Sequence, residues 1–305
     1  MTCFTPLSAA RSVSPINNGK HKMRVFKKGN EPKNLNAGTR SYWQPLQLPC
    51  GQCKGCRYDR SKSWAIRCVH EAQLHKKNCF LTLTYRPEDL PSDQSLDKKH
   101  FQLFMKKLRK HFAPTKIRFY HCGEYGTQLG RPHYHAIIFG IDFDDKRLHQ
   151  VDKETGEKLY TSETLSKIWD KGFSSIGAVT FNSAAYVARY IVDKINGDLA
   201  EHHYSGRLPE YSTMSLKPGI AANWFEKYST DIYPHDHVIL NGRELRPPKY
   251  YDTLYERIHA EAYQKIKRKR IDNARKHADD NTPERLAVRK QVFDAKTSTL
   301  KRSLK

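Results

Sequence analysis

Residues 130–140 read Gly-Arg-Pro-His-Tyr-His-Ala-Ile-Ile-Phe-Gly, a β-rich run with two histidines between two glycines. Side chains on a strand alternate between the two faces, so His133 and His135 point the same way. Ile137 and Phe139 continue that face, and the intervening side chains line the other. The stretch therefore predicts a strand that presents a pair of imidazoles on one of its faces.

Further strands and helices are predicted on both sides of this strand. Residues 116–122 predict a second strand, joined to the first by the turn-rich segment 123–130 in a hairpin-like arrangement. The remaining predictions are strands over 80–85 and 177–181, and helices over 61–75, 98–112 with Asp97 as N-cap, 162–170, and from Asn182 or Ser183 to 195. This order, with a hairpin in the middle, predicts an α+β fold in which helices pack on an at least partly antiparallel β-sheet.

Composition divides the chain into three segments. Residues 1–45 are rich in Ser, Asn, Gly, Pro and Lys and predict a loosely structured basic N-terminal arm. Residues 46–235 carry the periodic patterning, with a Cys-rich segment at 50–56, and predict the folded domain. Residues 236–305 form a basic C-terminal extension that we expect to be helical and exposed around five basic residues, Lys265, Lys267, Arg268, Lys269 and Arg270.

The charge balance favours a nucleic-acid partner. The 305 residues include 54 Lys and Arg against 32 Asp and Glu, a net charge of +22, and such a positive field most commonly serves nucleic acid. We expect residues 20–33 and 249–276 to contact phosphates without reading bases. No run approaches the roughly 18 apolar residues of a membrane span. The N-terminus does not resemble a secretory signal, and the odd number of cysteines indicates a reducing, cytosolic compartment.

The histidine pair is a candidate metal site. Glu124 ends the facing strand of the predicted hairpin, and its carboxylate would complete a set of two histidines and one acid. Such a set leaves coordination positions open for substrate and water, and Mg²⁺ or Mn²⁺ there would act as a Lewis acid on phosphate oxygens. The same ligands also serve non-haem iron enzymes. The basic charge and a nearby tyrosine pair favour phosphate chemistry, although a His-x-His pair on a strand is also common without a metal.

That tyrosine pair is a candidate nucleophile. Tyr186, Tyr190 and Lys194 stand at i, i+4 and i+8 of a predicted helix and so share one face. A tyrosine hydroxyl can attack a phosphodiester and hold the DNA end covalently, two tyrosines can alternate, and Lys194 can stabilise phosphate charge. Tyrosines four residues apart are also frequent as core or stacking residues.

The cysteine-rich segment is a candidate zinc site. Cys50, Cys53 and Cys56 have two-residue gaps, a spacing that suits thiolate coordination of a structural zinc ion. The spacing leaves the fourth ligand open, and it leaves open a set of reduced cysteines that bind nothing. The candidates for a fourth ligand are Cys3, Cys68, Cys79 and His70.

Three segments together resemble a known family. Residues 80–85, the triplet 133–135, and Tyr186 and Tyr190 with Lys194 resemble, in this order, the motifs of HUH-type replication initiators. Residues 49–57 and 64–67 are similar to the microvirus branch, in particular to gokushovirus-type single-stranded DNA phages. The resemblance implies an antiparallel sheet with the histidines on a central strand and the tyrosine helix beside it.

The resemblance also implies a function. It implies origin nicking with a covalent 5′-phosphotyrosine, followed by rejoining, in rolling-circle replication. It makes His133 and His135 metal ligands and Tyr186 and Tyr190 nucleophiles, with Glu124 as third ligand and Gln128 as its fallback. The implied partners are single-stranded and supercoiled viral DNA at the origin, with no membrane.

Two expectations complete the interpretation. No Gly-x-x-x-x-Gly-Lys-Ser/Thr motif is present in the sequence, so we expect a helicase and the replication machinery of the host to act with this protein in the bacterial cytoplasm. The competing hypothesis is a non-catalytic single-stranded nucleic-acid-binding protein. Metal-dependent covalent capture of DNA would separate the two.

Overall fold

A computed structural model of the chain describes residues 3–15, 21–27, 30, 32, 35–36, 42–126, 129–153, 156–193 and 199–298, without the side chains of 189–193 and 199. The chain divides into two compact units. The first comprises Met1–Asp59 with Ile271–Lys305, and the second comprises Arg60–Arg270. The predicted boundaries at residues 45 and 235 remain predictions.

Strands and helices alternate along the chain. The strands are β1 (Leu7–Ser12), β2 (Met23–Val25), β3 (Trp43–Leu48), β4 (Asn78–Thr84), β5 (Arg118–Tyr125), β6 (Pro132–Phe139), β7 (Arg147–Val151), β8 (Lys158–Thr161), β9 (Ser174–Gly177), β10 (Tyr211–Met214), β11 (Val238–Leu240) and β12 (Arg243–Leu245). The helices are α1 (Lys54–Ala72), α2 (Lys98–His111), α3 (Glu163–Ile168), α4 (Phe181–Asp193), α5 (Leu199–Tyr204), α6 (Ala222–Ile232), α7 (Lys249–Ile258), α8 (Ala260–Lys276) and α9 (Pro283–Ser298). Within the described residues, none of the helices has both the length and the apolar character needed to cross a bilayer.

A seven-stranded sheet organises the second unit. Its order is β10-β5-β6-β4-β9-β8-β7, and every neighbouring pair is antiparallel. The strand β6 lies between β5 and β4, and its residues from Tyr134 to Phe139 are at most 1% exposed. The expectation of an α+β fold with an antiparallel sheet is confirmed.

Helix α2 covers one face of this sheet. Asp97 caps it as predicted, because its Oδ1 accepts a hydrogen bond from Lys99 N at 2.7 Å. Its apolar stripe, Phe101, Phe104, Met105 and Leu108, is buried in one cluster with sheet residues that include Leu81, Leu83, Tyr134, Ala136 and Ile138. Burying each large side chain contributes about 1.5–3 kcal/mol, so this face forms the main hydrophobic core.

Helices α1 and α4 contact the opposite face, which carries the histidines. Trp64 of α1 stacks on Tyr120 of β5 with ring centroids 4.8 Å apart. Helix α4 begins before the predicted Asn182 or Ser183, because Thr180 and Ser183 cap it reciprocally. Thr180 Oγ1 accepts from Ser183 N at 3.0 Å, and Ser183 Oγ accepts from Thr180 N at 2.8 Å.

The N-terminal segment differs from the loosely structured arm that its composition predicts. Its described residues form a three-stranded antiparallel sheet in the order β2-β1-β3, with Ala9 opposite both Val25 and Leu46. Ala10 and Trp43 are buried. Such short strands show little periodicity, and their partners lie far away in sequence, so a window of local sequence cannot reveal them.

The basic helix α8 also differs from prediction. Lys265, Arg268 and Lys269 are exposed as expected. Arg270 is instead held in ion pairs, with Nε 2.8 Å from Asp236 Oδ2 and Nη1 2.8 Å from Asp252 Oδ2. The prediction of an exposed side chain is wrong for Arg270, because its acidic partners precede it by many residues and only the fold brings them to α8.

Candidate active site

Glu124, His133 and His135 converge on one point of the sheet. Antiparallel pairing sets Glu124 of β5 directly opposite His133 of β6, and His135 follows two residues along the same face. The Nε2 atoms of His133 and His135 lie 2.5 Å and 2.9 Å from the same Glu124 Oε1. The three side chains thus offer ligand atoms that all lie within 4.8 Å of one another.

A tight connection between β5 and β6 produces this register. Gly126 N donates to Arg131 O at 2.9 Å and so closes the hairpin. Gly130 has a φ of 60° there, in the left-handed region that glycine adopts without strain. Gln128, the fallback third ligand, lies outside the described residues.

A second shell of hydrogen bonds orients both imidazoles. His133 Nδ1 is 3.2 Å from Arg131 O, and a carbonyl oxygen only accepts, so Nδ1 carries the proton and leaves a lone pair on Nε2 in the neutral ring. His135 Nδ1 is 3.0 Å from Thr82 Oγ1 on β4. Such partners orient metal-binding histidines.

Sequence reasoning did not single out Thr82. The period-2 pattern of residues 80–85 gave a signal for it, since Thr82 and Thr84 share a face. Only the register between β4 and β6 reveals which histidine Thr82 meets.

Burial distinguishes the three groups. Glu124 and His135 are each 1% exposed, whereas the side chain of His133 is 17% exposed and provides the accessible side of the group. Burial lowers the pKa of His135 and so favours its neutral form. Burial acts in the same direction on His133, but its hydrogen bond to Glu124 raises the His133 pKa above the ordinary value.

The residues fit a divalent cation. Glu124 Oε2 is buried and has no hydrogen-bond partner among the described residues, and a buried, unsatisfied carboxylate oxygen is costly. Two imidazole nitrogens and this carboxylate form a donor set with positions left open. A shared proton between Glu124 and His133 could neutralise part of the group, but it would leave Oε2 without a partner.

Tyr186 of α4 lies against this group. Its ring meets the His135 ring nearly at right angles, with centroids 5.1 Å apart, and it also contacts Phe80 with centroids 6.4 Å apart. Tyr190 lies one turn further along α4, and its side chain is outside the described part of the structure. Lys194 lies outside the described residues. The structure therefore brings together four of the predicted residues, Glu124, His133, His135 and Tyr186.

The three predicted cysteines also lie together, in the first unit. Cys50, Cys53 and Cys56 form a group with Cys3. The other candidates for a fourth ligand are occupied elsewhere: Cys68 and Cys79 are buried core residues, and His70 Nδ1 is 2.8 Å from Tyr251 Oη.

Comparisons with known proteins agree on one family. A family model for replication-associated proteins of the ORF2 type matches residues 78–195, a stretch that contains Glu124, both histidines and both tyrosines. The chain is 37% identical over 225 residues to replication-associated protein VP4 of Bdellovibrio phage phiMH2K, covering 71% of this chain and 70% of that one. It is 35% identical over 222 residues to replication-associated protein ORF2 of Spiroplasma virus 4, covering 69% and 68%.

A third relative is similar over less of its length. The chain is 33% identical over 225 residues to replication-associated protein ORF4 of Chlamydia phage 1, covering 70% of this chain and 55% of that one. No solved structure matches the chain.

Proposed function

The chain belongs to the family of replication-associated proteins of phages, and from this premise we propose that it starts rolling-circle replication by nicking viral DNA. The nick is made at the origin in a site- and strand-specific manner by a metal-assisted tyrosine transesterification. It leaves a covalent 5′-phosphotyrosine, and later rejoining releases circular single strands. The contact between Tyr186 and His135 of the Glu124–His133–His135 group is the observation that carries this proposal.

Glu124, His133 and His135 are the residues that would hold the cation, Mg²⁺ or Mn²⁺. When bound, such a cation supplies Lewis acidity to a non-bridging phosphate oxygen. Arg131 O and Thr82 Oγ1 keep the two imidazoles in their orientation. The partly exposed His133 gives the phosphate of a DNA strand a side from which to approach.

The nicking step exchanges one phosphodiester for another. The Tyr186 hydroxyl oxygen forms a bond to phosphorus and gives up its proton, while the bond from phosphorus to the 3′-oxygen breaks. The 3′-oxygen leaves, takes up a proton and becomes a 3′-hydroxyl that can prime synthesis. The bond energy is retained, so a later 3′-hydroxyl can displace the tyrosine and rejoin the strand without ATP.

Tyr190 and Lys194 complete the proposed site. Tyr190 follows Tyr186 by four residues and shares its face of α4, which supports a second nucleophile for the rejoining round. Lys194 would stabilise phosphate charge near the two tyrosines. Both roles rest on helical spacing.

The partners follow from this activity. The substrate is viral DNA at the origin, single-stranded or supercoiled, and the net charge of +22 supports binding to its phosphates. A host helicase and the host replication machinery would act with the protein in the bacterial cytoplasm.

A covalent-capture assay tests the proposal. Purified protein is incubated with end-labelled single-stranded oligonucleotides that tile the cognate circular genome, with Mn²⁺, with Mg²⁺ or with EDTA. Denaturing gels should show label migrating with the protein only when the metal is present. Tight, salt-sensitive binding without an adduct from any tile would overturn the proposal in favour of non-catalytic single-stranded nucleic-acid binding.

A further inference from the structure

Four cysteine sulfurs lie together in the first unit. Cys50 Sγ is 4.0 Å from Cys56 Sγ, and Cys53 Sγ is 3.9 Å from Cys3 Sγ. All four sulfurs lie within 4.8 Å of one another. A disulfide would need a sulfur–sulfur distance of about 2.05 Å, and all four cysteines are free.

The local fold brings the three consecutive cysteines together. Gly51 has a φ of 73°, and this left-handed turn folds the chain back so that Cys53 N donates to Cys50 Sγ at 3.2 Å. Cys53 O then accepts from Arg57 N at 3.0 Å, which starts α1 and sets Cys56 in its first turn.

Cys3 joins this group through the N-terminal sheet. Leu7 of β1 pairs with Leu48 of β3, so the residues that precede β1 run beside those that follow β3. Cys50 N accordingly donates to Cys3 Sγ at 3.3 Å. Neither Cys3 nor its pairing partner can be identified from the local spacing of the other three cysteines.

We propose that Cys3, Cys50, Cys53 and Cys56 bind one structural zinc ion. A tetrahedral zinc with Zn–S bonds of about 2.3 Å separates its sulfurs by about 3.8 Å, close to the two shortest separations here. A cluster of several iron atoms separates its thiolates more widely, so the compactness of the group favours a single ion.

The surroundings suit thiolates. Sulfurs of the group accept hydrogen bonds from backbone N–H groups and a hydroxyl: Phe4 N donates to Cys53 Sγ at 3.4 Å, and Thr5 Oγ1 donates to Cys50 Sγ at 3.3 Å. Such donors act as a second shell that stabilises ligand charge. The positive end of α1 lies at Cys53 and Cys56, and a helix N-terminus favours thiolates.

The ion would stabilise the first unit. Its described core is small, and units of this size commonly need a metal or a disulfide to hold together. One ion bound to Cys3 and to the Cys50–Cys56 segment would link the start of β1 to the start of α1. This role is separate from the nicking chemistry.

Metal analysis of the full-length protein tests the proposal. In a His133→Ala/His135→Ala background, which removes the other candidate metal group, we expect one zinc per chain. Zinc K-edge X-ray absorption should give four sulfurs at about 2.3 Å. Absence of zinc, nitrogen or oxygen in the first shell, an iron–sulfur chromophore, or a disulfide mass among these cysteines would each overturn the proposal.

Matched variants identify the fourth ligand. Cys3→Ala should lose the four-sulfur site, whereas Cys68→Ala, at a buried core cysteine, should keep it. Retention of four sulfurs in Cys3→Ala, or their loss in a folded Cys68→Ala, would contradict the assignment. If Cys3→Ala does not fold, cobalt substitution of the wild-type protein still decides. Sulfur-to-cobalt charge-transfer and intense tetrahedral d–d bands support a tetrathiolate site, and weak octahedral bands overturn it.

Discussion

The ring of Tyr186 stands nearly perpendicular to the ring of His135, at an interplanar angle of 88° and a centroid distance of 5.1 Å. The two residues come from different elements, α4 and β6, and meet because α4 contacts the histidine face of the sheet. The relationship brings a candidate nucleophile to the only metal-ligand group that contains histidine in the described part of the chain. The predictions below test what this proximity does.

The two tyrosines should share the covalent step. Tyr186→Phe and Tyr190→Phe should each leave partial cleavage, because one hydroxyl remains on the same helical face, and the double variant should form no adduct. Gel quantification of the adduct with origin-containing oligonucleotide measures this. Tyr160→Phe, on β8, serves as the control and should behave like the wild type. An adduct in the double variant would show that the nucleophile is another residue.

Thr82 should tune the metal site through His135. Thr82→Val keeps the side-chain shape but removes the hydroxyl 3.0 Å from His135 Nδ1, and loss of such a partner typically lowers metal affinity by about 10–100-fold. A Mn²⁺ titration followed by electron paramagnetic resonance measures the affinity.

Thr84→Val is the matched control, since the Thr84 hydroxyl donates to Phe173 O instead of an imidazole. Its Mn²⁺ affinity should stay near that of the wild type. Equal affinities in Thr82→Val and the wild type would contradict the positioning role of Thr82.

The buried ion pair between Glu71 and Arg118 should be important for stability. Glu71 Oε1 is 2.5 Å from Arg118 Nε, and Glu71 Oε2 accepts from Ala221 N at 2.6 Å. Glu71→Gln leaves Arg118 without its charge partner and should cost about 3–5 kcal/mol in denaturant unfolding. Asp144→Asn, which breaks the exposed pair with Lys77, should cost about 0–1 kcal/mol.

The Glu71 effect should also depend on pH. Burial alone would raise the Glu71 pKa, but hydrogen bonds from His75, the Ala221 N–H and Arg118 hold it below its ordinary value. A lowered carboxyl pKa stabilises the fold above the unfolded pKa, about 4.3, and this stability is lost as the pH falls toward the folded pKa. The difference in unfolding free energy between the wild type and Glu71→Gln should therefore shrink below about pH 4. A constant difference would contradict it.

Basic residues of α8 should divide into two classes. Neutralising the exposed Lys265, Arg268 and Lys269 with Gln should reduce the salt slope of single-stranded DNA binding by up to about 2, since each phosphate contact contributes about 0.7. Arg270→Gln should instead lower the unfolding free energy, because Arg270 is paired with Asp236 and Asp252. A large change in salt slope from Arg270→Gln alone would reverse this division.

Local sequence patterns predicted the fold best where the periodicity was strong. Alternation predicted β6 and the common face of its histidines, and the turn-rich segment before it predicted the hairpin that sets Glu124 opposite His133. Asp97 was predicted as the cap of α2 and is confirmed. These features depend on interactions between residues that are near in sequence.

Features that depend on distant pairing were not predictable in this way. Thr82 meets His135 only through the register between β4 and β6, and Cys3 meets Cys50 only through the pairing of β1 with β3. The short edge strand β10, which pairs with β5, lies where the patterning is weak. In each case the partner lies tens of residues away, and no local spacing encodes the distance.

The most direct test of the central claim is to map the DNA-linked residue. Trypsin cleaves after Arg189, between Tyr186 and Tyr190, so the two candidates fall on different peptides, residues 172–189 and 190–194. The adduct formed with Mn²⁺ is digested with nuclease and trypsin and analysed by tandem mass spectrometry. A nucleotide phosphate on Tyr186 or Tyr190, absent with EDTA, is the result that we predict. A nucleotide on any other residue, or no modified peptide from an active preparation, would contradict the account.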